Sequence, residues 1–371
     1  MELCSSLFVC RTWHATIVHD PTLWATITFN ARICAHLVAS LPQGGSQHER
    51  LARILSFYDA CIRRSKLVLL KITLDLESFS IWEDEHVLRT NLNHLLILFV
   101  IKTGKHATRW KEFIWKHYST FFSAWSVLKC LPRGIPSLQR LAITHLRWCR
   151  EYLEVVHFPN CPNIQTFSLI DIRDDSNGQA PTLFQQSGFS SVQDLTIGKG
   201  WNWQSADLRW VPMFRNIRTL TLFSFGQLTK NRRVIASSMC VTLPHLRLLR
   251  LPGWVPNEIL SPIEPPDHLI VVVGASDGTG GSLHSIDTLS GTMVATKMTI
   301  LHLQWSEHTI KGVLLSSIFK LLHNAPCLEA VYLSPPTEVM LGHGLQEFKA
   351  NHNYSFSICA DGRESLDEYY T

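Results

Sequence analysis

Eight times between Trp110 and Leu333 the same short pattern returns: an apolar residue, two others, an apolar residue, one other, an apolar residue. The copies are Trp110/Phe113/Trp115, Leu138/Leu141/Ile143, Ile164/Phe167/Leu169 and Val192/Leu195/Ile197, then Ile217/Leu220/Leu222, Leu246/Leu249/Leu251, Met298/Leu301/Leu303 and Leu328/Val331/Leu333. Their first positions stand 28, 26, 28, 25, 29, 52 and 30 residues apart, and the interval of 52 leaves room for a degenerate copy at Leu269 to Val273. The last two apolar residues of each copy are two apart, the spacing of side chains on one face of a strand. One short strand and its connection cannot enclose that face, so units at this interval stack and share a continuous core. The connections carry helical patterns: Ile310, Val313, Leu314, Ile318, Leu321 and Leu322 mark one, and His145 to His157 reads as another. The bland alternative, unrelated strands in an ordinary α/β domain, leaves the even spacing without a cause.

The interval falls at or near the period of leucine-rich repeats. Four copies open with a proline two residues ahead of the first apolar position, at Pro136, Pro162, Pro244 and Pro326. The fold class expected is therefore α/β, with a degenerate leucine-rich-repeat-like solenoid over residues 106–335, interrupted by a loop insertion at 274–290. The asparagine ladder of well-formed repeats is absent, which predicts irregular curvature.

Ahead of the repeats, Leu3, Leu7, Cys10, His14 and Ile17 share one helical face, bordered by Trp13. His19-Asp20-Pro21 ends that helix, since the residue before a proline is steered away from helical geometry. Thr22-Leu23-Trp24 opens a second short segment through Ile27. Residues 31–105 read as a helical connector. Leu51, Ile54, Leu55, Tyr58 and Ile62 trace a helix that stops at Arg63-Arg64-Ser65, a first strand follows at 67–74, and a further helix runs from Asp84 to Ile101. Residues 336–371 are expected to form a C-terminal cap with an acidic tail at Glu364 to Glu368.

The string Leu7-Phe8-Val9-Cys10-Arg11-Thr12-Trp13, followed by Asp20-Pro21-Thr22-Leu23-Trp24-Ala25-Thr26-Ile27, resembles the second half of an F-box, most closely in large families of mushroom-forming fungi. Cys61-Ile62-Arg63-Arg64-Ser65 with Leu67 to Leu74 is similar to their helix-to-first-strand junction, and Arg109-Trp110-Lys111 with Phe113 to the start of their repeats. The resemblance implies a truncated, helical F-box remnant over residues 1–30. It further implies the substrate-recognition subunit of an SCF-type ubiquitin ligase, docked on a Skp-type adaptor through Leu7, Cys10, Trp13, Pro21, Leu23 and Trp24. The family's first half, a Leu-Pro-rich turn and a helix, has no counterpart after Met1. A repeat scaffold without adaptor attachment is thus the first alternative.

Several classes are disfavoured by composition. The net charge of +4 is mild, and the densest basic stretch is only Lys230 to Arg233, so no nucleic-acid partner is implied. The longest strictly apolar run, Leu95 to Ile101, is far short of a membrane span, and Glu2 is out of place in a secretory signal. Ten cysteines without a CxxC pair point to a reducing compartment, cytoplasm or nucleus.

Chemistry is sparse. Gly274-Ala275-Ser276-Asp277-Gly278 matches a nucleophile elbow after an apolar strand, but Thr279-Gly280-Gly281-Ser282 follows where a helix should begin. A serine hydrolase using Ser276 stays as the second alternative. Cys10, His14 and His19 lack the close chelating pair of a zinc site, so neither metal nor cofactor is expected. Trp148, Trp201, Trp254 and Trp305 follow repeat strands and are expected to form a buried spine, whereas Trp203 in polar Gly200 to Trp203 reads as an interface anchor beside Trp201. Alternation predicts that Gln165, Thr166, Ser168, Asp194, Thr196, Arg218, Thr221, Arg247, Arg250 and His302 face away from the core. Among these, Arg218, Arg247 and Arg250 on adjacent strands would suit an acidic or phosphorylated segment of an unknown protein substrate.

Overall fold

A computed structural model describes residues 16–40, 47–76, 86–116, 127, 129–144, 147–148, 159–170, 173–174, 189–199, 211–224, 240–253, 255, 257–274, 283–305, 315–352 and 354–360. The architecture is mixed α/β, with parallel strands and flanking helices. Two compact units divide the chain, residues 1–168 with 174–176 and 181–191, and residues 169–173 with 177–180 and 192–371.

In the first unit a turn of 3-10 helix, Pro21–Trp24, leads into β1 (Thr26–Asn30), α1 (Ala31–Ser40), α2 (Gln47–Arg64), β2 (Leu70–Asp75), α3 (His86–Gly104), β3 (Trp110–Lys116) and β4 (Arg140–Thr144). The strands are parallel and lie in chain order. Their register places Ile27, Ile72, Phe113 and Leu141 in one row, and Phe29, Leu74, Trp115 and Ile143 in the next. Every one of these side chains is buried. Helices α1 and α2 each pack on α3, and Phe29, Tyr58 and Phe99 meet there as an aromatic cluster. Cys34 lies in the same core with its thiol 3.5 Å from the Tyr58 hydroxyl, and burial pushes that thiol up to about 11. It stays protonated and inert at neutral pH.

The division between the units runs through β5 (Thr166–Ile170). The second unit continues with β6 (Asp194–Lys199), β7 (Thr219–Ser224), β8 (Leu248–Leu251), β9 (Leu269–Gly274), α4 (Leu283–Leu289), α5 (Met293–Lys297), β10 (Met298–Gln304), α6 (Leu315–His323), β11 (Ala330–Leu333), α7 (Pro335–His352) and β12 (Ser357–Ala360). Strands β6 to β12 are again parallel and in chain order. One register row runs Leu195, Leu220, Leu249, Val271, Leu301, Val331 and Ile358. The first six of those are wholly buried. Helix α6 packs against both α4 and α7.

The recurrent prolines have a local cause. Leu138 N–H donates to the Ile135 carbonyl, Ile164 to Cys161, Leu246 to Leu243 and Leu328 to Ala325, so each copy opens with a hydrogen-bonded turn whose second residue is the proline. Proline presets the φ that this turn position needs. A copy without that proline, Phe214-Arg215-Asn216-Ile217, makes the same bond. In the first unit the residue just before the first apolar position also reaches back one copy: Ser137 Oγ donates to the Thr108 carbonyl, Asn163 Nδ2 to Pro136 and Ser191 Oγ to Ile164. A short ladder of Ser, Asn and Ser thus satisfies turn carbonyls that would otherwise compete for water.

Several expectations need correction. Residues 1–30 are not helical throughout, because Thr26–Asn30 is a strand and the first in the chain. Its Thr-Ile-Thr-Phe alternation buries Ile27 and Phe29 against β2. The strand expected at 67–74 starts only at Leu70, since Leu67 stands 90% exposed in the turn after α2. Arg147–Trp148 is extended, not helical. Within the expected loop insertion at 274–290, Gly274 closes β9 and Leu283–Leu289 is helical. Residues 336–371, expected as cap and tail, contribute most of α7 and the further strand β12; residues 361–371 lie outside the described residues.

Candidate functional site

The N-terminal candidate starts from Asp20. Its carboxylate accepts from the Thr22 N–H at 2.9 Å and the Thr22 hydroxyl at 2.6 Å, and these bonds hold its pKa below the usual carboxylate range. With Pro21 at the next position, the turn Pro21–Trp24 is fixed. That turn sends its two apolar side chains to different places. Leu23 is 39% exposed, whereas Trp24 is 4% exposed. The Trp24 indole donates to the Ile17 carbonyl at 2.6 Å, and the Arg64 guanidinium sits 4.4 Å from its ring centre. Of the residues expected to meet an adaptor, Leu23 and the half-buried Pro21 are at the surface and Trp24 is a core anchor. Leu7, Cys10 and Trp13 lie outside the described residues.

The second candidate is in the second unit. Arg218 and Arg247 are exposed and adjacent, since the Arg247 N–H donates to the Arg218 carbonyl at 2.8 Å. Both stand in the turns that feed β7 and β8, before strand alternation begins. They have the parity of the buried Leu220 and Leu249, so alternation alone does not account for their exposure. Arg250 is inside β8, on the face opposite Leu249 and Leu251, with Thr221 and Val272 as register neighbours. Arg247 and Arg250 are three residues, about 10 Å, apart along the strand. The three arginines are therefore a pair on the strand-start rim plus one on the sheet face, not a single file. Exposed Arg215 and His245, from the turns just ahead of the rim pair, line a shallow cleft with Phe214, Asn216, Thr242 and Pro244.

Across that sheet face one register row reads Thr196, Thr221, Arg250, Val272, His302, Tyr332 and Cys359. It is polar at the β6–β8 end and changes character at Val272, which is 8% exposed. His302, expected outside, is 2% exposed and lies flat on Tyr332 with ring centres 4.6 Å apart. Gln165 and Asp194 are exposed, while Thr166, Ser168, Thr196 and Thr221 are half-buried. The accessible part of the expected binding face is thus its polar end around Arg250.

Compared with protein-family models and with curated proteins, the sequence matches none. The functional reading rests on the chain's own residues.

Trp201, Trp203, Trp254 and Ser276 lie outside the described residues. Trp305 is 2% exposed, as a spine residue should be. Gly274, the first glycine of the elbow-like motif, has a packing reason to be glycine: a Cβ there would come 2.7 Å from the Gln304 carbonyl oxygen of β10. Gly274→Ala is expected to cost about 1–3 kcal/mol, since β9 and β10 must part to admit the methyl. Chemical denaturation of the full chain measures this; a loss under about 0.5 kcal/mol, the range of ordinary surface changes, would show the strands can spread freely. Among the described residues no group of three or more His, Cys, Asp and Glu is placed to hold a metal ion, and no helix is long and apolar enough to cross a membrane.

Local sequence gave no warning of one further cluster. Arg63, in the last turn of α2, and Lys66, just after it, meet His106 and Arg109, after α3, some forty residues later in the chain. In the sequence the first pair marks only a helix end and Arg109 only the start of the repeats.

Proposed function

We propose that the chain is a non-catalytic protein-binding subunit, a degenerate leucine-rich-repeat-like solenoid that presents a target to an SCF-type ubiquitin ligase through a Skp-type adaptor. The observation that carries the solenoid is strand order. In each unit the strands of the main sheet follow one another in chain order, each parallel to its neighbour. Doubly wound α/β enzymes reverse that order part-way and place their ligand crevice at the reversal. Strands stacked in chain order give an extended face instead, the surface on which repeat proteins hold partners. The Ser137, Asn163 and Ser191 ladder supports the same reading, because each of its bonds ties one copy to its neighbour, and the turn bond recurs inside successive copies.

The adaptor half of the proposal rests on the F-box resemblance, with Pro21 and Leu23 as its accessible residues. Pull-down of the full chain with a Skp-type adaptor tests it. Capture at micromolar protein, lost in Leu23→Asp, is the expected result. Absence of capture would favour a repeat scaffold without ligase attachment. The hydrolase alternative is tested in parallel: covalent labelling of Ser276 by a fluorophosphonate would overturn a non-catalytic role.

A further inference from the structure

We propose that the cleft where α2 and α3 end together in the first unit is a binding site for a phosphate monoester, gripped by Arg63, Lys66 and Arg109. The cleft is lined by Asp59, Ile62, Arg63, Lys66, His106 and Arg109. Three separate pieces of backbone supply them. The last turns of α2 give Asp59, Ile62 and Arg63. Lys66 follows in the left-handed region, φ 48°, where its N–H donates to the Arg63 carbonyl and folds the chain back on the helix end. His106 and Arg109 come from the turn between α3 and β3.

Arg109 is set in place before any ligand arrives. Its Nη2 donates to Ser65 Oγ at 2.7 Å and to the Val68 carbonyl at 2.9 Å, and its Nε to the same carbonyl at 3.2 Å. These bonds fix the guanidinium plane through one edge, while among the described residues Nη1 makes no hydrogen bond. A fork held this way loses little freedom on binding an oxyanion. The one carboxylate of the cleft, Asp59, is already engaged by Lys102. Arg63 and Lys66 are exposed and form no ion pair among the described residues. Positive charge therefore outweighs negative in the cleft. Burial first, and then the neighbouring Arg109 and Lys105, hold the pKa of His106 below the ordinary histidine value, with Asp59 opposing.

Cations near helix ends often only complement the helix dipole. Arg64 and Lys102, in the last turns of α2 and α3, fit that role, whereas Arg63 lines the cleft itself. Lys66 and Arg109 lie beyond both helices, and Arg109 is aimed by Ser65 and Val68 rather than by the last carbonyls of α3. A phosphate monoester brings close to two charges and three acceptor oxygens to three cationic donors, where a carboxylate brings one charge and two.

Calorimetric titration of the full chain at low salt tests the site. The ligands are inorganic phosphate, a phosphoserine peptide, and the same peptide with glutamate in place of phosphoserine. Arg63→Ala/Lys66→Ala, changes at exposed positions, is expected to weaken binding of phosphate-bearing ligands by roughly tenfold or more, as when hydrogen bonds to charged groups are lost. His106→Gln is expected to remove the part of the proton uptake on binding that histidine contributes, the phosphate's own titration being common to both proteins. Tighter binding of the phosphopeptide than of inorganic phosphate assigns the group to a protein segment, and the reverse order assigns it to a small molecule. Equal binding of the glutamate peptide, or an undiminished affinity in the double variant with its circular dichroism unchanged, would overturn the proposal.

Discussion

Trp110→Ala is expected to remove about 3–5 kcal/mol from the chain's stability, the range for deleting a large aromatic side chain from a packed core. Trp110 is wholly buried at the first position of its copy and stacks on Phe113 with centroids 5.2 Å apart and planes 9° apart. Its indole N–H donates to the Thr103 carbonyl at 3.0 Å, in the last turn of α3. Truncation leaves a cavity and a carbonyl short of its partner, and the two costs add. A domain with a total stability of about 5–15 kcal/mol has little room for such a loss. Urea unfolding followed by far-ultraviolet circular dichroism measures the change. Trp110→Phe, which keeps the ring and loses only the donor and some volume, should fall between the variant and the parent. A loss below about 1 kcal/mol for the alanine variant would place Trp110 outside the core and remove the anchor of the first repeat strand.

The core was legible because period-two alternation survives whatever joins the strands. All nine copies, the degenerate Leu269 to Val273 included, have their second and third apolar residues buried in strands. At the strand starts the expected exposure holds, but for a different reason. Arg218 and Arg247 precede their strands by one residue, where a turn still decides which way a side chain points, and so they are exposed despite core parity. His302 has outward parity and is buried all the same, because a neighbouring strand supplies Tyr332 as a stacking surface. Alternation says which side of a sheet a residue takes, not what covers that side. Strand β1 was missed for a related reason. Thr26-Ile27-Thr28-Phe29 is a fair strand pattern, but it sits inside a stretch whose likeness to an F-box implied helix.

Long-range convergence was not legible at all. The basic cleft needs Arg63, Lys66, His106 and Arg109 together, and only the packing of α2 against α3 brings them there. The adjacency of Arg218 and Arg247 was foreseen, and the Arg247 N–H donating to the Arg218 carbonyl sets it; their place in the turns ahead of β7 and β8 was not foreseen. In both places the turns between elements decide which cations share a surface.

Trp24→Ala is expected to cost stability on a similar scale, about 3–5 kcal/mol for the buried ring and up to about 1 kcal/mol more for the exposed cation–π contact. The indole, 4% exposed, joins Ile17 on the residues before the turn to Arg64 at the end of α2, so its loss unties the chain's first described segment from the rest of the unit. This bears on how adaptor binding is tested. A Trp24→Ala protein that fails to capture a Skp-type adaptor says little, because the neighbouring surface is lost with the fold. Leu23→Asp is the discriminating change: Leu23 is 39% exposed on the same turn, and its replacement should alter stability by no more than about 0.5 kcal/mol. With thermal unfolding and adaptor capture measured side by side, capture lost in Leu23→Asp at unchanged stability identifies the turn as a docking surface. Stability retained in Trp24→Ala together with lost capture would show the opposite of the present structure, a ring that faces the partner rather than the core.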